Sequence, residues 1–182
     1  MFVFCHGKVY SRRFLLETGV RFDESLTYNE DSCFNAVLVT RTVPKRVGEI
    51  RSHTPAYTWI RRPGSVTSDL ARADESNYCT FRRNLIVTEE NRIHRPDQFT
   101  AMVTRTAYDA YFMIHGDRIS ESCKQQMMEE FRPWITQRRE AFGDVTEEIL
   151  EGIRAISREE LMDREIPDSH EAVTAWVAEV IG

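Results

Sequence analysis

The chain lacks paired cysteines. Cys5, Cys33, Cys79 and Cys123 stand far apart, so no CxxC motif and no zinc-ligand spacing is present. They read as reduced, mostly structural thiols, which points to a cytoplasmic protein. No apolar run approaches the ~20 residues that a membrane span requires. The apolar start, Met1-Phe2-Val3-Phe4-Cys5, is too short for a signal peptide and reads as a buried strand. Positive charge is not in excess either: Lys and Arg number 24 against 29 Asp and Glu, a formal net charge of -5. A dedicated nucleic-acid binder is usually basic, so that class is disfavoured. No internal repeat and no low-complexity segment occurs.

What is present is an ordinary globular composition, with 41% hydrophobic and 29% charged residues over a length sufficient for one domain with a core and a helical appendage. The basic residues are nearly all Arg, the side chain suited to bidentate pairing with carboxylate or phosphate. The expected fold class is α/β, narrowing in this chain to α+β: a partial sheet followed by a mostly helical region. The division falls near residue 68, with residues 1–68 mixed and residues 69–182 helical.

In the first part, strands are expected at Phe2–Cys5, Val20–Phe22, Val47–Ile50 and Ala56–Ile60. Ser11 caps a short helix over Arg12–Thr18, which Gly19 ends in the left-handed conformation. Asn29 is expected to cap a second helix whose first turn holds Glu30, Asp31 and Ser32, with Phe34, Val37 and Leu38 facing a core. In the second part, helices are expected near 69–91, 97–115, 119–131, 145–155 and 168–181, punctuated by Pro96, Gly116, Pro133, Gly143 and Pro167.

Three segments carry chemistry. Glu30 and Asp31 open a helix, where carboxylates complement the dipole by ~0.3–1 kcal/mol each. An Asp there that also borders a cleft can take a proton from a substrate hydroxyl. His6-Gly7-Lys8 ends the first strand; Gly7 permits close approach of a ligand, and Lys8 can pair with a phosphate or with Glu30. Arg61-Arg62-Pro63-Gly64-Ser65-Val66-Thr67 is a polar turn whose Arg and hydroxyl groups can grip a diphosphate. His53, just upstream, is either a structural histidine or a metal ligand. Each segment also has an ordinary structural use, as helix cap, surface lysine and exposed turn.

Taken together, His6-Gly7-Lys8-Val9-Tyr10, Val20-Arg21-Phe22, Asn29-Glu30-Asp31 and Tyr57-Thr58-Trp59 through Ser65-Val66-Thr67 resemble the second half of family 2 glycosyltransferases of the GT-A fold, bacterial and bacteriophage members above all. The resemblance covers about residues 1–68. It implies a partial GT-A sheet and transfer of a sugar from a nucleotide-sugar donor to an acceptor hydroxyl with inversion. It implies that Asp31 is the base, that Glu30 orients the acceptor, and that His6, Lys8, Arg61, Arg62, Ser65 and Thr67 contact substrate. It also implies a divalent metal, Mn2+ or Mg2+, whose main ligands are absent from this chain; His53 is the candidate ligand within it. The family's Asp-x-Asp metal motif and the nucleotide-binding half that carries it have no counterpart before Asp31. The expectation is therefore a piece of a longer protein, a split protein whose partner chain supplies the donor half, or a decayed remnant, with a homo-oligomer as the other expected assembly.

Two other classes compete. One is a noncatalytic remnant acting as a protein-interaction module through Tyr108, Tyr111, Phe112 and Met113. The other is a nucleic-acid binder using Arg61, Arg62, Arg82 and Arg83, which the net acidity opposes.

Overall fold

The computed structural model of the chain describes residue 5, residues 8–42 and 72–143, residue 151 and residues 170–182. They belong to two compact units, Met1–His94 and Arg95–Gly182. The expected division after residue 68 lies outside the described residues.

Among the described residues the first unit holds three helices: α1 (Arg12–Thr18), α2 (Glu30–Arg41) and α3 (Ala73–His94). Helix α1 forms as its caps dictate. The Ser11 hydroxyl accepts the Phe14 N–H, and Gly19 takes φ 63° so that its own N–H reaches the Leu15 carbonyl. Helix α2 is buried almost all round, from Ser32 through Leu38 and again at Thr40. That is why its apolar residues do not form a narrow stripe.

Helices α2 and α3 run parallel in a constant register. Asn29 donates to the Thr80 hydroxyl at 2.8 Å near their starts. Near their ends the Asn91 amide donates to the Thr40 hydroxyl at 3.4 Å, and Arg41 grips Glu90 with two bonds of 2.7 and 2.6 Å. These polar links lie along a seam where Cys33, Val37, Phe81 and Val87 are buried. The buried Asn91 amide is also satisfied by the Val87 carbonyl at 2.8 Å, so its desolvation is offset.

Among the described residues the second unit contains a 3-10 turn, Pro96–Gln98, then α4 (Phe99–His115), α5 (Glu121–Thr136), α6 (Arg139–Gly143) and α7 (His170–Ile181). Helix α4 packs against the other three, and α5 against α6 and α7. Val103, Ala107 and Ala110 of α4, Met127, Phe131 and Ile135 of α5, and Val173 and Val177 of α7 form the core. Phe131 stacks on Trp176 at 5.1 Å.

Helix α4 ends at Gly116, whose ψ of 168° turns the chain out of the helix while its N–H still reaches the Phe112 carbonyl; a Cβ there would lie 2.9 Å from that carbonyl, which favours glycine. Pro133 does not end α5 as the sequence suggested; it lies inside the helix. Its missing N–H forfeits a backbone bond, but the following Trp134 and Ile135 are buried and hold the last turn in place. The Arg138 guanidinium caps that turn by donating to the Trp134 carbonyl at 2.6 Å.

The expected α/β class, with a partial GT-A sheet, is corrected: among the described residues every regular element is helical and no strand occurs. The described part of the expected strands shows why. Val20–Phe22 lies between left-handed Gly19 and a turn in which the Asp23 carboxylate accepts the Ser25 N–H and the Asp23 carbonyl accepts the Leu26 N–H. The segment is too short to pair, and Phe22 lays its ring on Phe34 of α2 at 4.5 Å instead. Cys5 sends its backbone N–H to the Asp31 carboxylate rather than to a strand. The expected strands Val47–Ile50 and Ala56–Ile60 lie outside the described residues, as does most of the helix expected at 145–155.

Candidate functional site at the start of α2

Asn29 sets the site. It opens α2 in the left-handed conformation, φ 59°, with no side-chain cap bond. The expected capping role is therefore replaced: its carbonyl accepts the Cys33 N–H at 2.8 Å while its side chain ties α2 to α3. Asparagine tolerates this conformation better than most residues. The sharp entry leaves Glu30 and Asp31 in the first turn, both half-buried.

Both Asp31 carboxylate oxygens accept backbone N–H bonds, Oδ1 from Ser32 at 2.7 Å and Oδ2 from Cys5 at 3.3 Å. Its carbonyl accepts the Asn35 side-chain amide at 3.0 Å. Asn35 is buried and is the hub of the cluster. Its Oδ1 accepts the Tyr10 hydroxyl at 2.5 Å, and its amide also reaches the Cys5 sulfur at 3.3 Å. Cys5 and Tyr10, from the segment preceding α1, are thus brought to the Asp31 turn from 26 and 25 residues away. Tyr10 also sets its ring edge-on to Phe34, with centroids 6.0 Å apart.

Burial, followed by the hydrogen bond and charge interaction with Cys5, pushes the Tyr10 hydroxyl up to about 12. It remains a donor throughout the neutral range. Burial alone chiefly pushes the neighbouring Cys33 thiol up to about 11, so that thiol is inert at neutral pH. Tyr28, immediately before Asn29, is buried with its hydroxyl unpartnered.

Of the expected site residues, the structure places Asp31 and Glu30 together at one helix start. Lys8 is tied nearby through its N–H to the Cys5 carbonyl at 3.3 Å. His6, Arg61, Arg62, Ser65, Thr67 and the expected metal ligand His53 lie outside the described residues. No cluster of three or more His, Cys, Asp or Glu side chains among the described residues could hold a metal ion. The described residues therefore do not fit the implied Mn2+ or Mg2+ site.

The sequence reading missed the roles of Asn35 and Cys5. The available signal for Asn35 was a polar residue in the middle of the run Cys33–Leu38, one turn after Asp31.

The surfaces of the competing readings are partly internal. Tyr108 is buried, its hydroxyl 2.7 Å from His170 Nδ1. Tyr111 packs edge-on against Trp176 at 5.4 Å. Arg83 donates to Asn84 at 3.1 Å, and Arg82 helps hold the Asp23 carboxyl below its usual range, mainly an effect of Ser25.

No family model, curated protein or solved structure matches the chain. Among the described residues no helix is long and apolar enough to cross a membrane.

Proposed function

We propose that the first unit carries the acceptor side of a sugar-transfer centre, with Asp31 as the base. The observation that supports it is the Asp31 carboxylate, fixed on both oxygens by backbone N–H groups yet half-exposed at the open end of α2. Each oxygen keeps a lone pair for an incoming hydroxyl. The Ser32 and Cys5 amides hold it in one orientation, which a positioned base requires.

In the reaction, the acceptor hydroxyl gives its proton to Asp31. Its oxygen forms a bond to the anomeric carbon of a nucleotide-sugar donor. The bond from that carbon to the diphosphate breaks with its electron pair leaving on the nucleotide, and configuration inverts. Glu30 orients the acceptor from the same turn. The resemblance of residues 1–68 to family 2 glycosyltransferases supports this reading, as does the placement of Asp31 and Glu30 on one turn. So do the four free cysteines, which suit a reducing cytoplasmic setting. Donor binding falls to a nucleotide-binding half outside this chain.

The test is a titration of the isotope-labelled chain with a panel of free mono- and oligosaccharides, followed by amide chemical shifts. A saccharide that moves the Cys5, Asp31 and Ser32 amides together, and no longer does so in Asp31→Ala, supports the assignment. Saccharides that leave these amides unmoved, or move only the second unit, overturn it.

A further inference from the structure

Helix α1 is unusual for a helix that contains Phe14, Leu15 and Leu16: none of its residues is buried. The segment around it exposes Val9 (99%), Leu16 (64%) and Phe22 (50%), three of the most exposed large apolar side chains in the described chain. Scattered apolar exposure needs no explanation, but a concentration within fourteen residues does.

Charge says what would cover it. Residues 8–22 carry Lys8, Arg12, Arg13 and Arg21 against Glu17 alone, in a chain whose net charge is -5. Arg13 is paired with Glu17 at 2.7 Å. Arg12 and Arg21 are exposed, with no hydrogen bond or ion pair among the described residues. Long Arg side chains can lie along an apolar surface while their heads meet anionic groups at its rim. Apolar side chains among cations, on a helix none of whose residues is buried, suit the interfacial zone of an anionic bilayer. An acidic face would instead be repelled there.

We propose that residues 8–22 dock the protein peripherally on an anionic lipid surface, with Val9 and Leu16 entering the interface and Arg12 and Arg21 meeting lipid phosphates. This goes beyond the transfer reading and does not depend on it. Its consequence is that the Asp31 turn, tied to this segment through Tyr10 and through the Phe22–Phe34 stack, would work close to the membrane surface.

The test is cosedimentation of the full chain with vesicles of phosphatidylcholine alone and with phosphatidylglycerol added, at low and high salt. The proposal expects binding only to the anionic vesicles, weakened as salt screens it. Arg12→Gln and Arg21→Gln are each expected to reduce partitioning about fivefold. Leu16→Gln is expected to reduce it with helical circular dichroism unchanged, since Leu16 itself is exposed. Equal binding to neutral vesicles, no binding to either, or indifference to all three variants overturns the proposal. So does a concentration-dependent dimer in light scattering that Leu16→Gln abolishes, because the face would then belong to a second copy.

Discussion

The link between Tyr10 and Asn35 can be measured as an energy. Tyr10→Phe removes the donor to a buried acceptor, Asn35 Oδ1, while leaving the ring against Phe34. An acceptor left unpaired in the interior costs ~1–3 kcal/mol. Asn35→Ala removes that acceptor and also the amide bond to the Asp31 carbonyl at 3.0 Å. The half-buried Tyr10 hydroxyl can turn to water, so its loss is less severe, but three bonds disappear, the weak one to the Cys5 sulfur included, and the expected cost is ~2–3 kcal/mol. The double variant should be less destabilised than the two single effects combined, by at least ~0.5 kcal/mol, because both remove the same bond. Since the chain has two units, global unfolding curves mix their transitions. Native-state hydrogen exchange of the α2 amides isolates the first unit. Strict additivity in that exchange, or a Tyr10→Phe protein as protected as the parent, would refute the coupling of Tyr10 to the Asp31 turn.

Three further outcomes follow from the same structure. Tyr10 has a folded value raised from 10.0 to about 12, so its contribution to stability is complete below pH 10 and is lost as pH rises towards 12. The alkaline loss of α2 protection should therefore be smaller in Tyr10→Phe, and Cys33, raised from 9.0 to about 11, contributes a parallel loss from pH 9 that Cys33→Ala removes. An aromatic disulfide reagent should label Cys5 first, because it alone is part-exposed and Cys33, Cys79 and Cys123 are buried; four equally fast thiols under native conditions would contradict the burial. Phe131→Ala empties a fully buried position stacked on Trp176 and should cost ~3–5 kcal/mol, read as an earlier tryptophan fluorescence transition in urea.

The helices were legible where caps and apolar spacing agreed. Ser11 and Gly19 bound α1 at Arg12 and Thr18 as expected, and α4 and α7 fall within two residues of their sequence signals, whereas α5 runs five residues past its expected end and α6 was not expected. Pro133 was misread because a local breaker was weighed without the burial of Trp134 and Ile135 beyond it. Val20–Phe22 has a strand's composition, but a strand needs a partner, and the sequence does not reveal that Phe22 has a ring to stack on. At the candidate site, Glu30 and Asp31 were visible as an acidic helix start. Their supports were not, because Cys5, Tyr10 and Asn35 meet only through the return of the chain after α1. Asn29 shows the same limit: its composition says cap, while the fold spends its side chain on Thr80.

The central claim is that Asp31 performs the proton transfer. The most direct measurement is sugar transfer to the saccharide that binds at the α2 turn, with a nucleotide-sugar donor and a donor-binding chain present, in the parent protein and in Asp31→Asn. The account expects Asp31→Asn to lose about 10²–10⁴-fold in rate while α2 exchange protection and saccharide binding persist. An Asp31→Asn protein that transfers at the parent rate would contradict it.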